Sequence, residues 1–226
     1  TYDQLSQDLA INNNPALIMV SWAGINGGDV THLGVFDIPL ISNIPNIVYL
    51  APTNKEEYLA MMEWGIEQKN HPVAIRVPNG DVISTGIKVE ASFNKLNVYE
   101  KTIDGSDVAI IGLGSFYELG KRVHEKLKNE SGINATLINP RFITGIDKEL
   151  LIELLDNHKL VVTLEDGILD GGFGEKITRF YGDKEIKVLN FGATKEFTDR
   201  VPLEELYERY HLTEELIVGD IKNILK

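Results

Sequence analysis

The segment Gly24-Ile25-Asn26-Gly27-Gly28-Asp29-Val30-Thr31-His32-Leu33-Gly34-Val35-Phe36-Asp37 gathers more reactive side chains than any other part of this sequence. It directly follows an apolar run that ends near Ser21, and it combines one histidine with two aspartates and several glycines. Imidazole changes charge near neutral pH, so His32 in such a loop suits a proton shuttle or a donor to a substrate hydroxyl. Ligands of open α/β sheets bind beyond the carboxyl ends of the strands, which is where a loop of this kind would lie. We therefore read His32 as functional. His71, His124, His158 and His211 are scattered, no two have metal-ligand spacing, and we take them as surface residues.

Three other motifs are weaker. Gly112-Leu113-Gly114 sits between a strand and a helix, as in a dinucleotide-binding loop, but Tyr117 occupies the third glycine position and the next strand ends Ile138-Asn139-Pro140 with no acid. We read it as a tight turn. Gly171-Gly172-Phe173-Gly174 opens a helix and could present N–H groups to an anion; with no Lys or Arg beside it, we read these glycines as allowing close packing. Glu165-Asp166 could bind Mg²⁺ or be solvated loop carboxylates, and two adjacent acids without a third ligand do not define a metal site.

The elements that must hold these residues follow from hydropathy. Short apolar runs recur at 16–20, 47–50, 73–75, 108–111, 135–138, 160–164 and 186–189, the pattern of strands covered on both faces. Helical spacing lies between them. Leu5 and Leu9 form a stripe that ends at Asn12-Asn13-Asn14-Pro15; Thr53 and Glu56 read as a capping box ahead of Tyr58, Leu59, Met62 and Ile66; Asp147, Pro202 and Thr213 open further helices. Alternation of strand and helix predicts βαβ units with parallel sheets, and seven strands suit two of them. The stretch near 81–97 has no sustained period and reads as a linker.

Composition narrows the functions. The 226 residues carry a net charge of −12 at pH 7, which repels phosphate backbones and anionic lipid, so neither nucleic acid nor membrane is an expected partner. The absence of cysteine removes disulfides, thiolate metal sites and a Cys nucleophile, and it is compatible with a cytoplasmic location. The chain opens on Thr1 with a helical pattern under way at Tyr2 and no signal segment, which we read as a start within a domain.

Several ordered blocks carry a resemblance. Tyr2-Asp3-Gln4, the Asp29-to-Asp37 segment, Ile44-Pro45-Asn46 with Ala51-Pro52-Thr53-Asn54, and Ala74-Ile75-Arg76-Val77-Pro78-Asn79-Gly80 resemble the pyrimidine-binding domain of thiamine-diphosphate enzymes of the transketolase superfamily, and within it the 1-deoxy-D-xylulose-5-phosphate synthase family. Pro140-Arg141-Phe142, Ile146-Asp147, Glu165-Asp166-Gly167 through Gly174, and Leu189-Asn190-Phe191-Gly192 resemble the carboxy-terminal domain of the same family.

The resemblance implies an α/β fold of two open, parallel-sheet, three-layer units: a partial pyrimidine-binding domain at 1–82, a linker at 83–95 and a transketolase C-terminal domain at 96–226. It implies transfer of a two-carbon unit, from pyruvate or a ketose, to an aldehyde in isoprenoid biosynthesis. His32 would be catalytic, and Asp29, His32 and Arg76 would bind substrate. Thiamine diphosphate and Mg²⁺ would be held mainly by a domain outside these residues, as would the glutamate that activates the aminopyrimidine. The chain alone would then be inactive, and its partners would be a small-molecule substrate and an N-terminal half or subunit, in a homodimer or heterotetramer. A non-catalytic assembly module, or a transketolase-like subunit with a non-phosphorylated acceptor, is the alternative.

Two departures bear on substrate. Where the family has phosphate-clamping arginines this sequence has Trp22 and Asn79, and the loop between Gly24 and His32 is one residue shorter. Losing two charge-assisted contacts weakens binding by about ten- to a hundredfold each.

Overall fold

A computed structural model describes residues 1–89 and 92–226. Among them, eight strands form two sheets. In the first, β1 (Ala16–Ala23), β3 (Pro72–Pro78) and β2 (Val48–Leu50) lie parallel in that order. In the second, the order is β4 (Glu100–Ile103), β6 (Thr136–Asn139), β5 (Asp107–Gly112), β7 (His158–Ile168) and β8 (Lys187–Ala193), all parallel except the antiparallel edge strand β4. The seven apolar runs each lie in a parallel strand. The additional strand, β4, reads Glu-Lys-Thr-Ile: exposed at an edge except for the partly buried Ile103, it has no apolar run to betray it. The expected linker, 83–95, includes residues 90 and 91, which lie outside the described residues.

Helix α1 (Asp37–Ile41) lies in the first unit but against β7 of the second sheet, α2 (Lys55–Glu67) packs on β1 and β3, and α3 (Phe116–Ser131), α4 (Lys148–Glu153), α5 (Phe173–Tyr181), α6 (Leu203–Arg209) and α7 (Glu214–Leu225) lie in the second unit. A π-helical turn at Gln4–Ala10 precedes them. Thr213 and Asp147 cap α7 and α4 as expected, each accepting a backbone N–H three residues on.

The start of α2 differs from expectation. Asn54 is its cap, accepting from Glu57 N at 2.9 Å. Glu57 reaches back past that cap to the Thr53 amide (2.8 Å) and hydroxyl (3.0 Å), so the cap lies one residue beyond Thr53 and the returning carboxylate satisfies the residue before it. Glu56 instead binds Ser84 and the amides of Thr85 and Gly86 in the segment after β3. The inward face rotates with it: Glu57, Met61 and Gly65 are buried, whereas Leu59 and Ile66 are about half exposed, at 50% and 59%.

One core crosses both units. Ile38, Ile41 and Tyr49 of the first pack with Ile111, Phe173 and Ile177 of the second in a single cluster. A buried polar joint accompanies it: Glu57 accepts from Arg141 Nε at 2.7 Å and from Asn139 Nδ2 at 3.0 Å, across the units. Near the carboxyl end of β3, Arg76 pairs with Asp166 of β7 and ties that strand end to the second sheet.

Candidate functional site

The loop after β1 closes on itself at short range. Trp22 (φ 61°) and Gly24 (φ 103°) turn the chain, and Gly24 N donates to Gly34 O at 2.8 Å. A Cβ on Gly34 would stand 1.7 Å from the Trp22 carbonyl, so only glycine allows this approach. Buried Asn26 braces the interior, its Oδ1 accepting from Gly28 N (2.9 Å) and its Nδ2 donating to His32 O (3.3 Å). His32 N donates to Asp29 O at 2.8 Å, which makes Asp29 to His32 a tight tip.

Asp29 and His32 are brought together through Thr31. Asp29 Oδ1 accepts from the Thr31 amide (3.0 Å) and hydroxyl (2.7 Å), and that hydroxyl oxygen lies 2.8 Å from His32 Nδ1. Arg200 Nη2 donates to the other Asp29 oxygen at 2.6 Å. The Thr31 hydroxyl, foremost, holds the Asp29 carboxyl below its ordinary range. His32 itself is exposed.

Arg76 is elsewhere. Its guanidinium is buried, with Nε donating to Asp37 Oδ2 at 2.6 Å, Nη2 to Asp37 Oδ1 at 3.2 Å and Nη1 to Asp166 Oδ1. Tyr49 donates its hydroxyl to Asp37 Oδ2 (2.5 Å), and Ser115 donates to Asp166 Oδ2 (2.8 Å). Burial, then the neighbouring Asp37 charge, pushes the Tyr49 hydroxyl far above its ordinary range, so it stays protonated as this donor. Asn79, at the end of β3, lines a cleft of about 310 Å³ between the units, together with Ala23, Ser115 and Asp166.

Glu165 and Asp166 are not solvated loop carboxylates: both are buried. Glu165 accepts from Phe173 N (2.8 Å) and Gly174 N (2.7 Å), so this chain's own carboxylate fills the helix start that could have taken an anion. Burial raises Glu165 to about 7 even against those two N–H donors. Between pH 4.5 and 7 the folded chain therefore keeps a proton that the unfolded chain has lost, and stability falls as pH rises through that window. The difference is worth roughly 3 kcal/mol. Urea unfolding at pH 5 and pH 8 is expected to show Glu165→Gln losing less stability than the parent by about that amount; equal losses would refute the assignment.

Two of the histidines read as surface residues are buried instead. His124 Nδ1 lies 2.9 Å from Ala135 O, and His158 bonds Leu154 O and the Thr136 hydroxyl, so both are satisfied core groups. Gly112-Leu113-Gly114 forms a strand-to-helix turn, with Gly114 at φ 54° and Tyr117 N donating to its carbonyl. The residues that sequence reading missed at the centre are Tyr49, Ser115 and Arg200, which carry no local motif.

Comparison with known proteins matches the two units in turn. The transketolase pyrimidine-binding domain covers residues 1–83, and the transketolase C-terminal domain covers residues 99–217. The chain belongs to the transketolase family. Within that family it is 36% identical over 227 residues to 1-deoxy-D-xylulose-5-phosphate synthase of Clostridium tetani and 37% identical over 229 residues to that of Clostridium acetobutylicum. These alignments take in 99% and 100% of this chain but only 36% and 35% of those synthases, so the chain spans about a third of their length. Among solved structures, a split-gene transketolase described as an inactive β4 tetramer superposes with a TM-score of 0.77 at 22% identity, over 98% of this chain and 70% of that one. A Pichia stipitis transketolase superposes at 0.71 and 16% identity, over 95% of this chain and 30% of the other. These two likenesses bear on the fold, and they agree with the transketolase-family α/β architecture of parallel-dominated sheets. No helix among the described residues is long and apolar enough to cross a membrane.

Proposed function

We propose that these residues form the pyrimidine-binding (1–82) and C-terminal (96–226) parts, joined by 83–95, of a thiamine-diphosphate-dependent transferase of the 1-deoxy-D-xylulose-5-phosphate synthase type, acting in the cytoplasm. The carrying observation is the Asp29–Thr31–His32 tip at the carboxyl end of β1, in a chain whose curated relatives at 36–37% identity bear that synthase name. The exposed His32 imidazole holds or moves a proton on an oxygen of the substrate, and Asp29 shares in binding it. Arg76 shapes the end of β3 from beneath and reaches substrate only through what it positions. Trp22 and Asn79, uncharged where the family resemblance places arginines, favour an acceptor aldehyde bound with little help from a phosphate.

The described residues do not fit the cofactor's Mg²⁺. Among them no three His, Asp or Glu side chains form a group able to hold a metal ion, and the buried acids are committed, Asp166 to Arg76 and Ser115, and Glu165 to α5. We propose that a diphosphate-binding module, on the same or another polypeptide, completes the site within a homodimer or heterotetramer, and that these residues alone turn over no substrate.

Calorimetric titration with thiamine diphosphate and Mg²⁺ tests this reading. The 226-residue chain is expected to show no saturable binding until the module is added; tight binding by the chain alone would overturn the division of labour. If the completed enzyme saturates with glyceraldehyde 3-phosphate at low micromolar concentrations, the argument from Trp22 and Asn79 fails.

A further inference from the structure

We infer that Thr31 is a positioning residue for His32, and that Arg200, contributed by the second unit, anchors the outer end of the same hydrogen-bonded chain. The inference rests on the reading of His32 as the substrate-facing group and adds how that group is aimed. A threonine hydroxyl has one proton to give. Asp29 Oδ1, an ionised acceptor 2.7 Å away, takes it in a charge-assisted bond. Towards His32 Nδ1, at 2.8 Å, the same oxygen can then offer only a lone pair, so Nδ1 must carry the hydrogen. The neutral ring is thereby held with Nε2 unprotonated, ready to accept a proton from a ligand.

The far end of the chain is fixed by the segment after β8. Arg200 Nη2 holds Asp29 Oδ2 at 2.6 Å, Arg200 N donates to Gly28 O at 2.8 Å, and Val30 N donates to Asp199 Oδ1 at 3.3 Å. A Cβ on Gly27 would meet the Val201 carbonyl at 2.7 Å, so the loop lies directly on this segment. The second unit thus helps to set the imidazole without touching substrate. Because Arg200 and Asp29 are both solvent-accessible, the pair adds little to stability, and its effect is to be sought in the state of the ring.

Nitrogen-15 NMR of the histidine-labelled 226-residue chain at pH 8, with His32 assigned by the signal lost in His32→Ala, reads that state directly. The parent is expected to show His32 protonated at Nδ1. Thr31→Val is expected to shift the population to the Nε2-protonated form, Thr31→Ser to restore the parent pattern, and Arg200→Ala to move it in the same direction as Thr31→Val but less. A parent already protonated at Nε2, or a tautomer unchanged by Thr31→Val, would overturn the inference. In the assembled enzyme, Thr31→Val is expected to lower kcat about tenfold with KM nearly unchanged, and Thr31→Ser to recover it. If the tautomer switches while neither Thr31→Val nor His32→Ala affects turnover, the positioning stands and the reading of His32 as catalytic falls.

Discussion

Arg76→Ala is expected to destabilise the folded chain by about 3–5 kcal/mol, the range for removing one partner from a buried ionic cluster. The magnitude follows from what remains. Asp37 and Asp166 face each other across the guanidinium, and only the Tyr49 and Ser115 hydroxyls would be left to satisfy them. Arg76 comes from β3 of the first sheet and Asp166 from β7 of the second, so the same substitution also removes a link between the units. Against a typical stability of about 5–15 kcal/mol, a loss of this size takes a large fraction of the total. Arg76→Lys keeps the charge but cannot give Asp37 its two-pronged bond, and its loss is expected to be intermediate. Combining Arg76→Met with Asp37→Asn and Asp166→Asn removes all three charges and is expected to recover part of the loss. Urea unfolding of the three variants checks the series; an Arg76→Ala protein within about 0.5 kcal/mol of the parent would show that the cluster contributes no more than a surface residue.

That cluster also marks where the sequence stops being legible. The tip from Asp29 to His32 could be picked out because its partners are two and three residues apart, and loop chemistry of that range is visible in residue order. Arg76 could be singled out only through the family resemblance of the block from Ala74 to Gly80, since Asp37 lies 39 and Asp166 90 residues away and nothing local ties them together. Hydropathy found β3 and β5 because two covered faces demand continuous apolar runs; the edge strand β1 was found because its run 16–20 is apolar although only partly covered, and the edge strand β4 was missed because Glu-Lys-Thr-Ile has no such run. The same logic misplaced part of α2: Tyr58 and Met62 do pack against the core, but not all of the expected face does. Counting apolar residues placed Leu59 and Ile66 inward, whereas the buried face centres on Glu57, whose carboxylate is paid for by Thr53, Asn139 and Arg141. A polar group satisfied by distant partners has no signature in a hydropathy profile, and His124 and His158 escaped for that reason too.

His32→Ala, in the enzyme assembled with its diphosphate-binding module, is expected to lower turnover by about 10²- to 10⁴-fold, the usual contribution of a positioned proton-transfer group. The fold gives no reason for a structural loss, because the ring is exposed and its one side-chain bond, to Thr31, lies at the tip of the loop. Stability is therefore expected to stay within about 0.5 kcal/mol of the parent, and assembly with the module to be unchanged. His32→Gln, which keeps a polar side chain but cannot titrate, is expected to fall with alanine in turnover, because what is lost is the ability to take up and release a proton. Steady-state kinetics of both variants, beside sizing of the assembled complex, separates the two accounts of this chain. A collapse of turnover with assembly intact supports the catalytic reading. Full turnover with assembly intact would instead favour a non-catalytic module, its glycine loop from Gly24 to Gly34 serving to seat the first unit on the segment at 199–201 rather than to present His32 to a substrate.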